Sequence, residues 1–173
     1  SSDLGSGAAL AAGLVPLALG TDTGGSVRNP AGACGVVGLK PTYGTVSRHG
    51  VFPLAFTLDH VGPMARSAGD AALLLDAIAG HDPRDPGSVD SPTRNYSASI
   101  DRDLRGLRVG FVRRFHERDV DADPEVIAAL DEAARVLARE GATVSEVELP
   151  PLADFFGSQR VIMASEAWAV HTR

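Results

Sequence analysis

A serine at the end of a glycine-rich loop is the strongest candidate for chemistry in this sequence. Ser26 follows the run Thr21-Asp22-Thr23-Gly24-Gly25. A serine hydroxyl becomes an effective nucleophile only when a base removes its proton and nearby donors stabilise the oxyanion that forms. Gly24 and Gly25 have no side chains that block the backbone, so the amides of residues 23–26 could converge on a carbonyl oxygen. Taken alone, these residues favour a simpler interpretation, a tight glycine turn with a surface serine.

Three other patterns suggest different chemistry, and each is weaker. Asp22-Thr23-Gly24 is the tripeptide of aspartic proteases, but that mechanism needs a second aspartate to share a proton. Cys34 has no positively charged neighbour in the sequence to activate it, and a small buried apolar role fits it better. His60 and the run His81-Asp82-Pro83-Arg84-Asp85 contain metal-ligand types, although the run is more typical of a solvated turn.

The composition indicates a globular protein that works in a reducing compartment. Its 173 residues are 44% hydrophobic and 22% charged, enough to form a core without disulfides. The net charge of −6 argues against direct binding to nucleic acid or to an anionic membrane. No apolar run has the length of a membrane span, and none resembles a signal peptide. Cys34 is the single cysteine, so no internal disulfide forms, and we predict a cytoplasmic protein.

Apolar periodicity and turn residues predict an α/β fold. Residues 8–12 suit a short helix after the Gly5-Ser6-Gly7 turn, and residues 15–19 suit a strand that leads into the serine loop. Ser67-Ala68-Gly69-Asp70 is typical of a capping box, so we predict a helix over 71–79. Residues 81–106 are expected to be a polar surface excursion.

The second half of the sequence predicts a strand–helix–strand unit. Residues 107–112 suit a strand, Asp123-Pro124 begins a helix that ends at Arg139, and residues 143–149 suit a second strand. Short links between the three elements indicate a crossover in a mixed or parallel sheet. Residues 165–172 suit a helix with no stop signal, and we therefore expect the chain to be cut at both ends.

Long stretches of the sequence resemble the amidase signature family. The likeness is closest in three segments and persists more weakly to about Pro151. The segments are residues 11–28 around Gly24-Gly25-Ser26, Cys34-Gly35-Val36-Val37-Gly38-Leu39-Lys40-Pro41-Thr42-Tyr43-Gly44, and Leu58-Asp59-His60-Val61-Gly62-Pro63-Met64-Ala65-Arg66. The resemblance implies an amidase-signature fold, a mixed sheet with flanking helices, of which residues 1–173 are a partial domain truncated at both ends.

The family hydrolyses amides with a serine–serine–lysine triad and without a cofactor or metal. By resemblance, Ser26 is the nucleophile and Ser2 is the bridging serine, held in the family by a cis peptide bond. The backbone amides of Thr23, Gly24 and Gly25 would bind the oxyanion. The lysine base of the family lies well upstream of the serines, before residue 1. The 173 residues alone are therefore expected to be inactive.

Several neighbouring residues need separate interpretation. Lys40 is the only lysine beside fifteen arginines, yet the family carries a lysine here that is not the base, so we predict a structural role. Asp22 and Arg28 flank the loop and are expected to order it by charge-assisted hydrogen bonds. Asp3 stands where the family usually has a serine, and Leu4 where it has a glycine. Because leucine does not readily take a positive φ, the turn beside Ser2 is expected to differ.

The expected partner is a small-molecule amide substrate. A free-standing amidase is favoured over the amidase subunit of a glutamyl- or aspartyl-tRNA amidotransferase, because His60 stands where that subunit typically has glutamine. A non-catalytic remnant of the fold is a third interpretation. A homodimer of the full-length protein also stays open.

Overall fold

The computed structural model describes residues 3–92 and 94–172, which form two compact units. One unit contains the described residues up to Ile100 and those from Val161 onward, and the other is Asp101–Arg160. The assignment of residues 1–173 to one partial domain stays a prediction. No helix in the described ranges combines the length and the apolar character needed to cross a membrane.

Helices and strands alternate through the described residues, which confirms the predicted α/β class. A 3-10 turn at Ser97–Ser99 and a π-helical turn at Phe115–Asp119 supplement the regular elements. In chain order these elements are α1 (Leu4–Ala11), β1 (Leu17–Asp22), α2 (Arg28–Cys34), β2 (Val37–Gly38), β3 (His60–Ala65), α3 (Ala68–Ile78), β4 (Arg108–Phe111), α4 (Pro124–Arg139), β5 (Thr143–Glu146) and α5 (Leu152–His171).

The first unit contains a three-stranded antiparallel sheet with the order β1-β3-β2. The register of β1 against β3 runs from Leu17 opposite Ala65 to Asp22 opposite His60. Residues 61–65 of the central strand are all buried, which suits their nearly continuous apolar sequence. The last registered pair of this sheet therefore fixes the point at which the serine loop begins.

A small apolar cluster fixes the other end of the loop. Val27 is fully buried beside Leu10 of α1, Ala31 of α2 and Met64 of β3. Complete burial of a valine side chain stabilises the folded chain by about 1.5–3 kcal/mol. Because Val27 directly follows Ser26, the loop is held by β1 on one side and by this cluster on the other.

Three helices begin earlier than the sequence predicts, and the largest difference is in α5, which starts at Leu152 instead of residue 165. The capping box forms, since Ser67 Oγ accepts a hydrogen bond from the Asp70 amide at 3.1 Å and donates one to Asp70 Oδ2 at 2.7 Å. α3 starts at Ala68 because the residues inside such a box already form the first turn. α1 starts at Leu4 and includes Gly5 and Gly7, which were predicted to turn. Gly7 serves close packing there, because a Cβ would lie 3.1 Å from Sγ of the half-buried Cys34.

The second unit confirms the predicted strand–helix–strand crossover. β4 and β5 pair in parallel from Arg108 opposite Thr143 to Phe111 opposite Glu146, and α4 connects them. Asp123 caps α4 by accepting a hydrogen bond from the Glu125 amide at 2.8 Å. Both strands are shorter than predicted. Parallel and antiparallel pairing thus occur in separate small sheets among the described residues.

Candidate active site

β1 and α2 place the half-buried Ser26 in the short segment between them. β1 extends to Asp22, beyond the predicted end at residue 19, because pairing with β3 continues as far as His60. Gly20 permits this extension, since a Cβ there would lie 2.9 Å from Cγ2 of Val27. α2 begins at Arg28. Four residues lie between Asp22 and Val27, and the candidate nucleophile Ser26 is the last of them.

Asp22 is the centre of the loop's hydrogen bonding. Its side chain is 1% exposed, and Oδ1 accepts a hydrogen bond from the Gly25 amide at 2.7 Å. Oδ2 accepts from the Val27 amide at 3.4 Å and from Arg28 Nε at 2.9 Å, while a second Arg28 nitrogen donates to Oδ1 at 3.0 Å. The prediction that Asp22 and Arg28 order the loop is therefore confirmed.

These contacts keep Asp22 ionised in spite of its burial. Burial by itself raises the pKa of the carboxyl, but the hydrogen bonds from Arg28 and Gly25 outweigh it, so the pKa of Asp22 lies below its ordinary value. The hydrogen bond to Asp22 raises the pKa of Arg28 in turn. A charged pair therefore persists beside Ser26 across the neutral pH range.

Position 25 requires a glycine for two reasons, its backbone conformation and the lack of room for a side chain. Its φ is +125°, and a Cβ would lie 2.6 Å from Nδ2 of Asn29. Its carbonyl oxygen accepts a hydrogen bond from the Asn29 amide at 2.7 Å. Any other residue here would meet both a backbone strain and a clash.

The predicted oxyanion donors differ in what they bind. The Gly25 amide is already bonded to Asp22. In contrast, no residue in ranges 3–92 and 94–172 accepts a hydrogen bond from the amides of Thr23, Gly24 or Ser26. Ser26 Oγ likewise makes no hydrogen bond to any residue within these ranges. Thr23 and Gly24 are thus the members of the predicted set whose amides are open to a ligand.

Ser26 lines a pocket of about 160 Å³. The wall opposite β1 comes from the segment before β3 and from Arg48. The complete lining consists of Thr21, Thr23, Ser26, Arg48, Val51, Phe52, Leu54, Asp59, His60 and Val61. The pocket is small, so within this unit it suits a short acyl group or the reacting end of a larger amide.

Asp59 is a site residue that the sequence analysis missed. Its side chain is buried, and Oδ1 accepts a hydrogen bond from Thr23 Oγ1 at 2.5 Å. Oδ2 accepts from the amides of Leu54 and Ala55 at 2.9 and 3.0 Å. Its only signal in the sequence is its place in the segment 58–66 that resembles the amidase signature, which assigns it no contact.

His60 follows Asp59 and belongs to the same pocket wall. Its Nδ1 lies 2.6 Å from the Leu58 carbonyl oxygen and 3.3 Å from that of Asp22. Burial lowers the pKa of the imidazole below its usual value, so His60 is neutral at pH 7. The edge of its ring meets Tyr43, with 5.6 Å between the ring centroids.

Arg48 is held on the other side of the pocket by a buried ion pair. One Arg48 nitrogen donates to Asp85 Oδ1 at 2.9 Å, another donates to the Phe56 carbonyl oxygen, and the guanidinium lies 4.6 Å from the Tyr43 ring centroid. Hydrogen bonds from Arg48 lower the pKa of Asp85 to about 2. His81, Pro83 and Arg84 are exposed, as expected of a solvated turn, whereas Asp85 is buried and ties that turn to the pocket wall.

Lys40 makes its hydrogen bond away from Ser26. Its Nζ donates to the Pro41 carbonyl oxygen at 2.9 Å. Burial lowers the pKa of Lys40, and the positive charge of Arg28 lowers it further. No described residue bonds to Ser26 Oγ, and Lys40 is no exception. Its contact supports the structural role that the sequence analysis predicts.

Ser2, the predicted bridging serine, lies outside the described residues together with its expected cis bond. The next residue, Asp3, ties the start of α1 to β1, since its Oδ2 accepts a hydrogen bond from the Thr21 amide at 2.9 Å. Leu4 begins α1, and no residue other than glycine has a positive φ in the described ranges. The substitution of glycine by leucine is accommodated by a helical turn.

Comparison with known proteins gives a consistent result. The sequence model of the family described as Amidase matches residues 1–173. The chain is 56% identical over 146 residues to a glutamyl-tRNA(Gln) amidotransferase subunit from Chromohalobacter salexigens, covering 84% of this chain and 30% of that protein. The crystal structure of a glutamyl-tRNA(Gln) amidotransferase subunit from Thermotoga maritima superposes with a TM-score of 0.89 at 39% identity, covering 95% of this chain and 36% of the other.

A solved peptide amidase is similar to nearly the same extent. The native enzyme from Stenotrophomonas maltophilia superposes with a TM-score of 0.83 at 42% identity, over 95% of this chain and 34% of that one. The chain thus spans about a third of the length of the relatives that it matches. A family match over all residues, together with this structural likeness, shows that the chain belongs to the amidase family.

Proposed function

We propose that the complete protein hydrolyses a carboxamide, with Ser26 as the nucleophile. Ser26 Oγ attacks the amide carbonyl carbon and forms an acyl-enzyme as the carbon–nitrogen bond breaks and ammonia or an amine leaves. Water then attacks the ester, releases the carboxylate and restores the serine hydroxyl. Membership of the amidase family supports this reaction class.

One observation carries the proposal: Ser26 Oγ and the open amides of Thr23 and Gly24 lie on one loop that Asp22 locks. A tetrahedral intermediate needs donors that are already oriented when charge develops on the oxygen. We assign this donor role to Thr23 and Gly24. The Gly25 amide could join them only by exchanging Asp22 for the substrate oxygen.

The proton of Ser26 requires a base, which we place outside residues 1–173. In this scheme Ser2 receives the proton from Ser26 and passes it to a neutral lysine elsewhere in the complete protein. Arginine cannot replace that lysine, because it stays protonated. Lys40 is not assigned, since its amine bonds to the Pro41 carbonyl oxygen.

A fluorophosphonate probe tests the nucleophile. In the complete protein it should label Ser26, and Ser26→Ala should remove labelling and lower amide hydrolysis by several orders of magnitude without loss of folding. Ser91→Ala, an exposed serine of the same unit, is the matched control. Labelling at another residue, or retained hydrolysis in Ser26→Ala, would refute the assignment.

The second candidate function is that of the amidase component in a tRNA-dependent amidotransferase. The curated relatives favour it, since proteins 48 and 56% identical to this chain are glutamyl-tRNA(Gln) amidotransferase subunits. A free-standing amidase should release ammonia from simple aliphatic or aromatic amides without a second protein. An amidotransferase component should prefer glutamine and respond to its partner and to charged tRNA. Measuring ammonia release from both substrate sets separates the two.

A further inference from the structure

We propose that Asp59 is a positioning residue that holds the Thr23 amide in place as an oxyanion donor. The inference rests on the proposed role of Ser26 and goes further by naming what fixes the donor. Asp59 itself touches neither the nucleophile nor any reacting atom. It acts through the side chain of Thr23.

The contacts of Asp59 join the two walls of the Ser26 pocket. On one side its Oδ1 accepts the Thr23 hydroxyl at 2.5 Å. On the other side its Oδ2 accepts the amides of Leu54 and Ala55, and Ala55 is completely buried. Asp59 is 7% exposed and directly precedes β3. A single carboxylate is therefore satisfied by three donors and anchored at the residue before the central strand of the sheet.

Thr23 needs such an anchor because of its position in the chain. The last registered pair of β1 and β3 is Asp22 with His60, so Thr23 is the first residue without a partner across the sheet. The next fixed point is the Gly25 amide, which Asp22 binds. Between these points lies Gly24, which has no Cβ to restrict its backbone. Among residues 3–92 and 94–172, the Thr23 hydroxyl adds a side-chain contact between these two points by donating to Asp59.

The location of Thr23 gives this contact a functional meaning. Thr23 lines the same pocket as Ser26. Within ranges 3–92 and 94–172, no acceptor takes its amide hydrogen. An oxyanion donor works only when it is held at its final position before charge develops, and a misplacement of about 1 Å can cost on the order of 100-fold in rate.

Labelling kinetics test this without a known substrate. When a fluorophosphonate reacts, the Ser26 Oγ–phosphorus bond forms, fluoride leaves, and the phosphoryl oxygen gains charge as an amide oxygen would. Thr23→Val removes the hydroxyl at nearly constant volume and should slow labelling of Ser26 by roughly 10- to 100-fold. Thr23→Ser should restore most of the lost rate. Thr42→Val, at an exposed threonine of the same unit, should label at the unchanged rate.

Variants of Asp59 separate geometry from charge. Asp59→Ala should slow labelling at least as much as Thr23→Val does, and the double variant should lose no more than Asp59→Ala alone, because both substitutions remove the same contact between Thr23 and Asp59. Asp59→Asn should lose less, since its oxygen can accept the two amides while its nitrogen donates to the threonine hydroxyl. Binding of phenylboronic acid, which forms a tetrahedral adduct with serine, should weaken in parallel with the labelling rate.

The experiments distinguish failure of the Asp59 role from failure of the proposed function. If Ser26 is not labelled in the unsubstituted protein, the proposed nucleophile is wrong and the inference falls with it. If Ser26 is labelled normally and Thr23→Val retains both that rate and the boronic acid affinity, Asp59 has no positioning role. Should Asp59→Ala fail to fold, Thr23→Val decides the matter, with circular dichroism as the check on its folding.

Discussion

The buried ion pair between Arg48 and Asp85 allows a quantitative prediction about acid stability. The two side chains are 13% and 4% exposed, and the pKa of Asp85 falls from 3.8 to about 2 through the hydrogen bonds from Arg48. A carboxyl with a lowered pKa stabilises the folded state at any pH above its unfolded value. That stabilisation is lost as the pH falls from 3.8 through about 2.

The shift corresponds to about 2.4 kcal/mol of pH-dependent stability at pH 7. About 1 kcal/mol of this should already be lost at pH 3. Asp85→Asn removes the titrating group, so it lacks this dependence. It also leaves Arg48 without a counter-charge, which adds a cost that does not vary with pH.

The assay is urea denaturation of the complete protein and of Asp85→Asn at pH 7, 5, 4 and 3. The difference in unfolding free energy between the two proteins should be constant from pH 7 to 5 and should shrink by about 1 kcal/mol by pH 3. Asp90→Asn, at an exposed carboxyl of the same unit, is the control and should show no such trend. A difference that stays constant down to pH 3 would refute the assignment of the lowered pKa to this ion pair.

Three further predictions concern the loop, the start of α1 and the isolated chain. Asp22→Ala should lower the free energy of unfolding by about 2–4 kcal/mol because buried amides lose their acceptor. Arg28→Ala should cost less, because the amides of Gly25 and Val27 still bind the Asp22 carboxylate that it leaves behind. Equal losses in urea denaturation would contradict this. Asp3→Ala should cost about 1 kcal/mol and Asp3→Asn, which keeps an acceptor, clearly less, as thermal unfolding would measure. The 173-residue chain expressed alone should associate, since large apolar side chains such as Trp168 (74% exposed) lie on its surface, and it should show no amide turnover. A monomer in sedimentation with normal turnover would instead require Lys40 or another group in the chain to act as base.

Local signals in the sequence account for the elements that were predicted well. The caps at Ser67 and Asp123 involve residues two or three positions apart, so their spacing alone reveals them. The ends of β1 were misplaced because its length is set by pairing with β3, which lies about forty residues further along the chain and leaves no periodic mark in β1 itself.

The same distinction separates the parts of the candidate site. The link between Asp22 and Arg28 was predictable, since both residues flank one short loop. The link between Thr23 and Asp59 spans 36 residues, and the link between Arg48 and Asp85 spans 37. Such contacts depend on how the sheet and its connections fold back, and neither composition nor spacing encodes the pairing of one particular carboxylate with one particular partner.

The surroundings of His60 determine which hydrogen-bonding groups the pocket wall can offer. Two carbonyl oxygens approach Nδ1, at 2.6 and 3.3 Å, and neither can donate a proton. Nδ1 must therefore carry the hydrogen, and in the neutral ring Nε2 is left with a free lone pair. A glutamine side chain at this position could turn its amide to present either a donor or an acceptor, whereas this tautomer of histidine is restricted to accepting. Protonation of His60 in acid would place a hydrogen on Nε2 as well and turn that nitrogen from an acceptor into a donor.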